Sequence, residues 1–166
     1  MQELLLIRHG IAADAEPGQP DAERALTERG RARTRAIADD LAGVLPGVDW
    51  LVSSTLVRAR ETAAIVADAL PVTRDDTLAE LQPGGAPAAV YQRLAAGAAG
   101  VERVALVGHE PQMNGLLGLG LTGEPLALTR FRKAGVAWLR FYAGIQPGGA
   151  ELIAFLPPAI AFGARS

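Results

Sequence analysis

The sequence predicts an α/β fold: a three-layer sandwich in which a mixed, mostly parallel sheet has helices on both faces and ends in a C-terminal antiparallel hairpin. Through the first two thirds of the chain, short apolar runs alternate with segments of helical periodicity. The last third instead contains two strand-like segments separated by a glycine-rich turn. With 166 residues, 49% of them hydrophobic and 20% charged, we expect one packed domain over residues 1–166.

The spacing of apolar residues predicts two strands and two helices in the first half of the chain. An apolar run at 3–8 predicts a buried strand, and a long polar loop follows from Ile11 to Arg24. Residues 49–53 predict a second strand, and residues 56–70 a second helix. Between the strands, Thr27 fits the N-cap of a helix that Pro46-Gly47 ends. The apolar positions of this helix keep helical spacing: Ile37, Leu41, Val44 and Leu45.

The second half continues the alternation and then changes to the hairpin. Val72-Thr73 predicts a short edge strand, Thr77–Gly85 a loop, residues 87–96 a modest helix and residues 102–107 a further strand. Pro111 fits the first position of a helix that runs to about residue 119, because proline loses no needed hydrogen bond there. Residues 136–142 and 151–156 predict the two hairpin strands.

Composition excludes several functional classes. A net charge of −2 gives no reason to expect a nucleic-acid partner, and the absence of cysteine excludes disulfides, thiolate catalysis and cysteine metal sites. The N-terminus lacks the pattern of a signal peptide, and no apolar run approaches the length of a membrane span. We therefore expect a cytoplasmic protein that does not contact membranes.

The chain has only two histidines, and both follow an apolar run where a strand would give way to a loop. His9 lies in Arg8-His9-Gly10, and His109 lies in Gly108-His109-Glu110-Pro111. The carboxyl ends of parallel strands are where α/β proteins bind ligands. The two imidazoles are therefore predicted to share one site, although each alone could equally cap a strand.

A third segment, Ser53 to Ala63, brings Arg58 and a helix start to the same edge of the predicted sheet. Arginine binds phosphate through a planar fork of donors, and helix N-termini add unpaired N–H groups. The set therefore favours a phosphoryl group over a neutral ligand. Taken alone, Arg58 could instead pair with Glu61 or Asp68 on its own helix, and Arg60 is expected to be a solvated charge.

A histidine in such a cluster could ligate a metal, act as a general base or attack phosphorus. With two histidines and no cysteine, a metal site would need carboxylates, and the arginines would repel the cation. Nucleophilic attack fits better, since neighbouring arginines disfavour protonation of the imidazole. We expect no metal and no cofactor.

These motifs in this order resemble those of the histidine phosphatase superfamily, which includes the phosphoglycerate mutases, and in particular its short SixA-type phosphohistidine phosphatases. The resemblance runs through Arg8-His9-Gly10, Asp21 to Gly30, Ser53 to Ala63, and Val107 to Pro111. It implies that His9 is the phosphorylated nucleophile, that Arg8 and Arg58 bind the phosphate, and that His109 contacts the phosphate from the opposite side. The sequence departs from the usual pattern at Ile11, Thr55 and Glu61.

In mutase-like relatives a glutamate protonates the leaving group, and Glu80 is the candidate by position. Asp14 and Glu16 are rivals, and a phosphohistidine substrate would need little acid because its imidazole can leave already protonated. The resemblance implies a metal-independent phosphatase whose partner is a phosphorylated protein, such as a histidine-phosphotransfer domain. The alternatives are a phosphatase of small phosphomonoesters (sugar or nucleotide phosphates) and a non-catalytic phosphate-binding module.

Overall fold

A six-stranded sheet forms the centre of the molecule in the computed structural model, which describes residues 1–158. The strands are β1 (Gln2–Arg8), β2 (Val48–Ser53), β3 (Val72–Thr77), β4 (Arg103–Gly108), β5 (Val136–Phe141) and β6 (Ala150–Leu156). The helices are α1 (Glu28–Ala42), α2 (Val57–Ala69), α3 (Pro87–Gly97) and α4 (Gln112–Thr122), with short 3-10 turns at Asp21–Glu23 and Ala79–Leu81.

The strand order is β3-β2-β4-β1-β5-β6. The first four strands in this order pair in parallel, whereas β5 pairs antiparallel with both β1 and β6. The predicted α/β class and its C-terminal antiparallel hairpin are therefore confirmed. The predicted domain extends to residue 166, and its last eight positions lie outside the described residues.

Alternation along β1 explains the three layers. Leu4 and Leu6 pack on one face of the sheet against α3 and α4, while Leu5 and Ile7 pack on the other face against α1 and α2. Successive side chains of a strand point to opposite faces, so a continuous apolar run is what a strand covered on both sides requires. Within residues 1–158, no helix is both long and apolar enough to cross a membrane.

Several element boundaries differ from the sequence prediction, among them the end of α4, which lies at Thr122 rather than at about residue 119. The edge strand β3 extends to Thr77 rather than ending at Thr73, because its polar residues pair with the backbone of β2. Helix α1 ends at Ala42, so Val44 lies beyond it and is exposed. Pro111 is the N-cap residue of α4 rather than its first helical residue.

Candidate active site

The register of β1 and β4 brings the two histidines together. Arg8 pairs with Gly108 in the parallel ladder, and the backbone N–H of His9 donates to the Gly108 carbonyl at 3.0 Å. His9 and His109 each follow the last residue of their strand, so their rings lie side by side with centroids 4.9 Å apart. Both residues are buried. The structure thus brings together the two imidazoles that the sequence places 100 positions apart.

The hydrogen bond of His9 determines its tautomer. Nδ1 lies 2.7 Å from the Gly10 carbonyl oxygen, which can only accept, so Nδ1 carries the proton and Nε2 keeps its lone pair. Burial, followed by the neighbouring His109, lowers the pKa of His9 to about 3. The ring is therefore neutral at physiological pH, with an unprotonated nitrogen available for attack.

His109 presents a different edge of its ring. Its Nε2 lies 2.9 Å from the Ser54 hydroxyl oxygen, whereas its Nδ1 is buried and makes no hydrogen bond within residues 1–158. Burial and the Arg58 charge lower the pKa of His109 to about 4. A buried polar atom without a protein partner is uncommon, and such an atom often marks a ligand contact.

Each of the two arginines, Arg8 and Arg58, donates a hydrogen bond from a terminal nitrogen to a backbone carbonyl. Arg8 donates from Nη1 to the Phe131 carbonyl at 2.6 Å, and Arg58 donates from Nη1 to the Asp21 carbonyl at 2.7 Å. In both residues Nε is buried and has no partner in the described part of the protein. Together with Nδ1 of His109, these are three buried nitrogens without a hydrogen-bond partner in residues 1–158. The His109 ring lies beside His9, and the charges of both arginines act on His9.

Asp21 is a residue of this site to which the sequence reasoning assigned no role. Its carboxylate accepts from Arg58 Nη2 at 2.9 Å and, on its other oxygen, from Arg24 Nε at 2.9 Å. The hydrogen bond from Arg58, the largest contribution, and that from Arg24 hold the pKa of the Asp21 carboxyl below its usual value. The alternative in which Arg58 pairs with Glu61 or Asp68 is excluded, because Arg58 pairs with Asp21. Glu61 and Asp68 pair instead with Arg31 and Arg35. Arg60 is exposed, as expected.

Two further charged residues face the cluster. Burial, followed by the Arg8 charge, lowers the pKa of Lys133, and the charges of Arg24 and Arg58 lower it further. Burial raises the pKa of the Glu110 carboxyl, although Asn114 and Arg8 favour its charged form. The basic run from Arg130 to Lys133 was a sequence signal for the additional cation, Lys133, but its place in the fold depends on a loop that the periodicity could not position.

The three carboxylates that the sequence offers for protonating the leaving group lie in different surroundings. Glu80 sits in the 3-10 turn after β3, and its carboxylate is 3.6 Å from Arg93 Nε of α3. Asp14 and Glu16 are both exposed, and Asp14 acts electrostatically on Lys133. Among residues 1–158, no group of three or more His, Asp or Glu side chains is arranged to hold a metal ion.

Comparison with known proteins agrees with this geometry. The sequence profile of the histidine phosphatase superfamily, branch 1, matches residues 4–88. The chain therefore belongs to the histidine phosphatase superfamily.

Two curated relatives match over most of their length. An uncharacterised protein of Picosynechococcus is 34% identical over 142 residues, which cover 83% of this chain and 84% of the relative. An uncharacterised protein of Mycobacterium tuberculosis is 30% identical over 162 residues, which cover 92% of this chain and 99% of the relative.

Solved structures match the whole architecture. The protein histidine phosphatase SixA, complexed with tungstate, superposes with a TM-score of 0.83 at 27% identity, covering 96% of this chain and 99% of that protein. A protein of Agrobacterium tumefaciens assigned as the phosphohistidine phosphatase SixA gives a TM-score of 0.79 at 32% identity, covering 95% and 98%. The resemblance to SixA-type proteins is thus confirmed.

Proposed function

We propose that this protein is a metal-independent phosphatase that hydrolyses protein phosphohistidine through a phosphohistidine formed on its own His9. The observation that carries the proposal is an unprotonated Nε2 on His9 together with three buried nitrogens, on Arg8, Arg58 and His109, that have no hydrogen-bond partner within residues 1–158. This arrangement supplies a nucleophile together with donors for the phosphoryl oxygens, which is what phosphoryl transfer requires of a protein.

The reaction has two steps. In the first, Nε2 of His9 attacks phosphorus, the bond between phosphorus and the leaving nitrogen breaks, and the leaving imidazole departs with a proton it already holds or takes from solvent. In the second, water attacks phosphorus, the bond to His9 breaks, and inorganic phosphate leaves while Nε2 regains its lone pair. Throughout, Arg8, Arg58 and His109 bind the equatorial oxygens, where preorganised donors lower the barrier most.

The protein nature of the substrate is supported by the surroundings of the site. The four helices of residues 1–158 pack against the faces of the sheet, and loops rather than helices border the site. Asp21, in the loop after β1, binds Arg58, and Lys133 lies near Arg8. A phosphohistidine carried on a folded partner can reach such a site. The SixA-type proteins to which the chain is similar are described as phosphatases of this substrate class.

A substrate panel tests the proposal. Turnover of a phosphorylated histidine-phosphotransfer domain is compared with turnover of sugar and nucleotide phosphomonoesters, each with and without a chelator. We expect higher kcat/KM on the phosphoprotein and no effect of the chelator. Preferred hydrolysis of the esters would instead support the small-molecule alternative, and tight phosphate binding without any turnover would support a non-catalytic module.

Variants assign the roles within the same panel. His9→Ala should abolish turnover and prevent trapping of radioactive phosphate on the protein in a rapid quench. Arg58→Ala should lower kcat by about 10²–10³, the usual cost of removing a transition-state donor. Arg60→Ala is the matched control, since Arg60 lies on the same helix but is exposed. Near-normal activity of His9→Ala would overturn the mechanism.

For this substrate Glu80 is not needed as an acid, because the imidazole can leave without taking a proton from the protein. The Glu80 carboxylate instead lies 3.6 Å from Arg93 Nε. Glu80→Gln should therefore leave turnover of the phosphoprotein within about twofold of wild type while lowering ester hydrolysis further, since an alkoxide needs protonation. Equal losses on both substrates would assign Glu80 a role in all turnover.

A further inference from the structure

His109 can offer a donor to a phosphoryl oxygen only if its free nitrogen carries a proton. Its Nε2 lies 2.9 Å from the Ser54 hydroxyl oxygen, and its buried Nδ1 has no hydrogen-bond partner in the part of the chain that the structure describes. A neutral imidazole has one protonated nitrogen, so two tautomers compete. In one, Nδ1–H can donate to the ligand. In the other, Nδ1 presents a lone pair that would repel a phosphoryl oxygen.

Ser54 distinguishes between these tautomers. Among the described residues, its buried hydroxyl has two partners, Nε2 of His109 at 2.9 Å and the backbone N–H of Leu56 at 3.4 Å. The Leu56 N–H can only donate, so Nε2 of His109 is the acceptor available to the hydroxyl proton. If Nε2 were protonated instead, the buried hydroxyl hydrogen would be left without an acceptor, which is costly.

We infer that Ser54 is a positioning residue, whose hydroxyl donates to Nε2 of His109 and holds His109 in the tautomer with Nδ1–H turned to the substrate phosphoryl group. The two histidines then play complementary parts: His9 presents a lone pair and His109 presents an N–H. The kinetic role of Ser54 rests on the proposed function, whereas the tautomer of His109 does not.

The sheet explains why the position after β2 can do this. Ser53 pairs with Val107 in the β2–β4 ladder, and the backbone N–H of Ser54 donates to the Val107 carbonyl at 2.9 Å. Ser54 is therefore fixed beside the end of β4, one strand from His109. Ser53, its neighbour, is also buried but makes no hydrogen bond to His109, which makes it a matched control.

Nitrogen-15 NMR of the imidazole rings tests the tautomer directly. Because the chain has two histidines, one His9→Asn variant assigns both rings. We expect His109 to show a protonated Nδ1 in the wild type and in Ser53→Ala, and a protonated Nε2 or a mixture in Ser54→Ala. A protonated Nε2 in the wild type, or an unchanged pattern in Ser54→Ala, would overturn the inference whether or not the protein is a phosphatase.

Kinetics tests the consequence. Ser54→Ala should lower kcat/KM by roughly tenfold, less than the 10²–10³ expected for losing a donor outright, and Ser54→Thr should restore most of it. In a His109→Asn background, whose amide N–H needs no choice of tautomer, Ser54→Ala should cost little further activity. An equal loss in both backgrounds would assign Ser54 a purely structural role. Absence of turnover in the wild type would instead contradict the proposed function alone.

Discussion

At the scale of residues, contacts with loops orient Arg8 and Arg58, the two arginines that we expect to bind phosphate. Arg8 is held by the carbonyl of Phe131, and Arg58 by both the carbonyl and the carboxylate of Asp21. Asp21 belongs to the long loop after β1 and is itself held by Arg24. The guanidinium of Arg58 is buried, so a partner on a surface loop determines the direction of its remaining donors.

Loss of the Asp21 carboxylate should therefore lower activity and vanadate binding without abolishing them. For Asp21→Ala we expect kcat/KM to fall by roughly tenfold, consistent with one charged hydrogen bond weakened by exposure to solvent. Vanadate should also inhibit this variant less strongly than the wild type. Steady-state kinetics and vanadate titration measure both effects. Glu23→Gln, an exposed change in the same 3-10 turn, should leave them unaltered; a similar loss there would mean that the loop is generally perturbed.

The sequence predicted which strand ends would meet, because at residues 3–9 and again at 104–109 an apolar run followed by histidine predicts the end of a buried strand. It could not predict the partner of Arg58. Asp21 lies in a segment without periodicity, and its place next to α2 results from the path of a loop rather than from local propensity. The same holds for Lys133, whose closeness to Arg8 depends on how residues 123–135 return to the sheet.

At the scale of elements, helix α1 anchors the loop that carries Asp21. Thr27 caps the helix by accepting from the Gly30 backbone N–H at 2.9 Å, as the sequence predicted. The backbone N–H of Thr27 donates to the Ile11 carbonyl at 2.9 Å. At Gly30 the helix and the loop approach so closely that an added Cβ would lie 2.1 Å from the Ile11 oxygen. A side chain at Gly30 would therefore displace backbone rather than a flexible side chain.

Gly30→Ala should consequently destabilise the fold by about 1–3 kcal/mol, as overpacking does elsewhere. Urea unfolding measures the change. Gly43→Ala is the matched control, because a Cβ there meets its nearest atom at 3.4 Å and the backbone is already right-handed. Equal midpoints for the two variants would show that the contact between Gly30 and Ile11 relaxes without cost.

Strand β3 shows where element prediction fails. Its sequence, Val72–Thr77, contains one apolar residue, and most of its side chains are exposed. Strand propensity and alternation therefore predicted only its first two residues. The rest of the strand is held by backbone pairing with β2 and by two contacts to Trp50 of that strand. The indole N–H of Trp50 donates to the Asp76 carboxylate at 2.8 Å, and the Arg74 guanidinium lies over the indole ring. Such contacts are long-range in sequence and have no local signature.

At the scale of the whole molecule, the charge is unevenly distributed. The net charge is −2, yet Arg8, Arg24, Arg58 and Lys133 interact electrostatically at one edge of the sheet. Among these cations, both histidines are buried in their neutral form. The fold therefore carries two imidazoles that protonate far more readily when the chain is unfolded, and this difference links stability to pH.

Stability should fall as the pH is lowered from 7 to 5. The pKa of His9 is about 3 and that of His109 about 4 in the folded protein, so between pH 6.5 and 5 only the unfolded chain takes up these protons. The expected loss is about 2 kcal/mol for each histidine at pH 5. Glu110 opposes it, because burial raises its pKa in the fold. Asp21 contributes only at lower pH, because its pKa is lowered.

Urea unfolding of the wild type and of the His9→Asn/His109→Asn variant at pH 7, 6 and 5 measures this linkage. The double variant contains no imidazole, so it removes the whole contribution of histidine while leaving every carboxylate in place. Its free energy of unfolding should change much less over this range than that of the wild type, even if its value at pH 7 differs. Parallel pH profiles would contradict the buried neutral state of both histidines and, with it, the readiness of His9 to attack phosphorus near neutral pH.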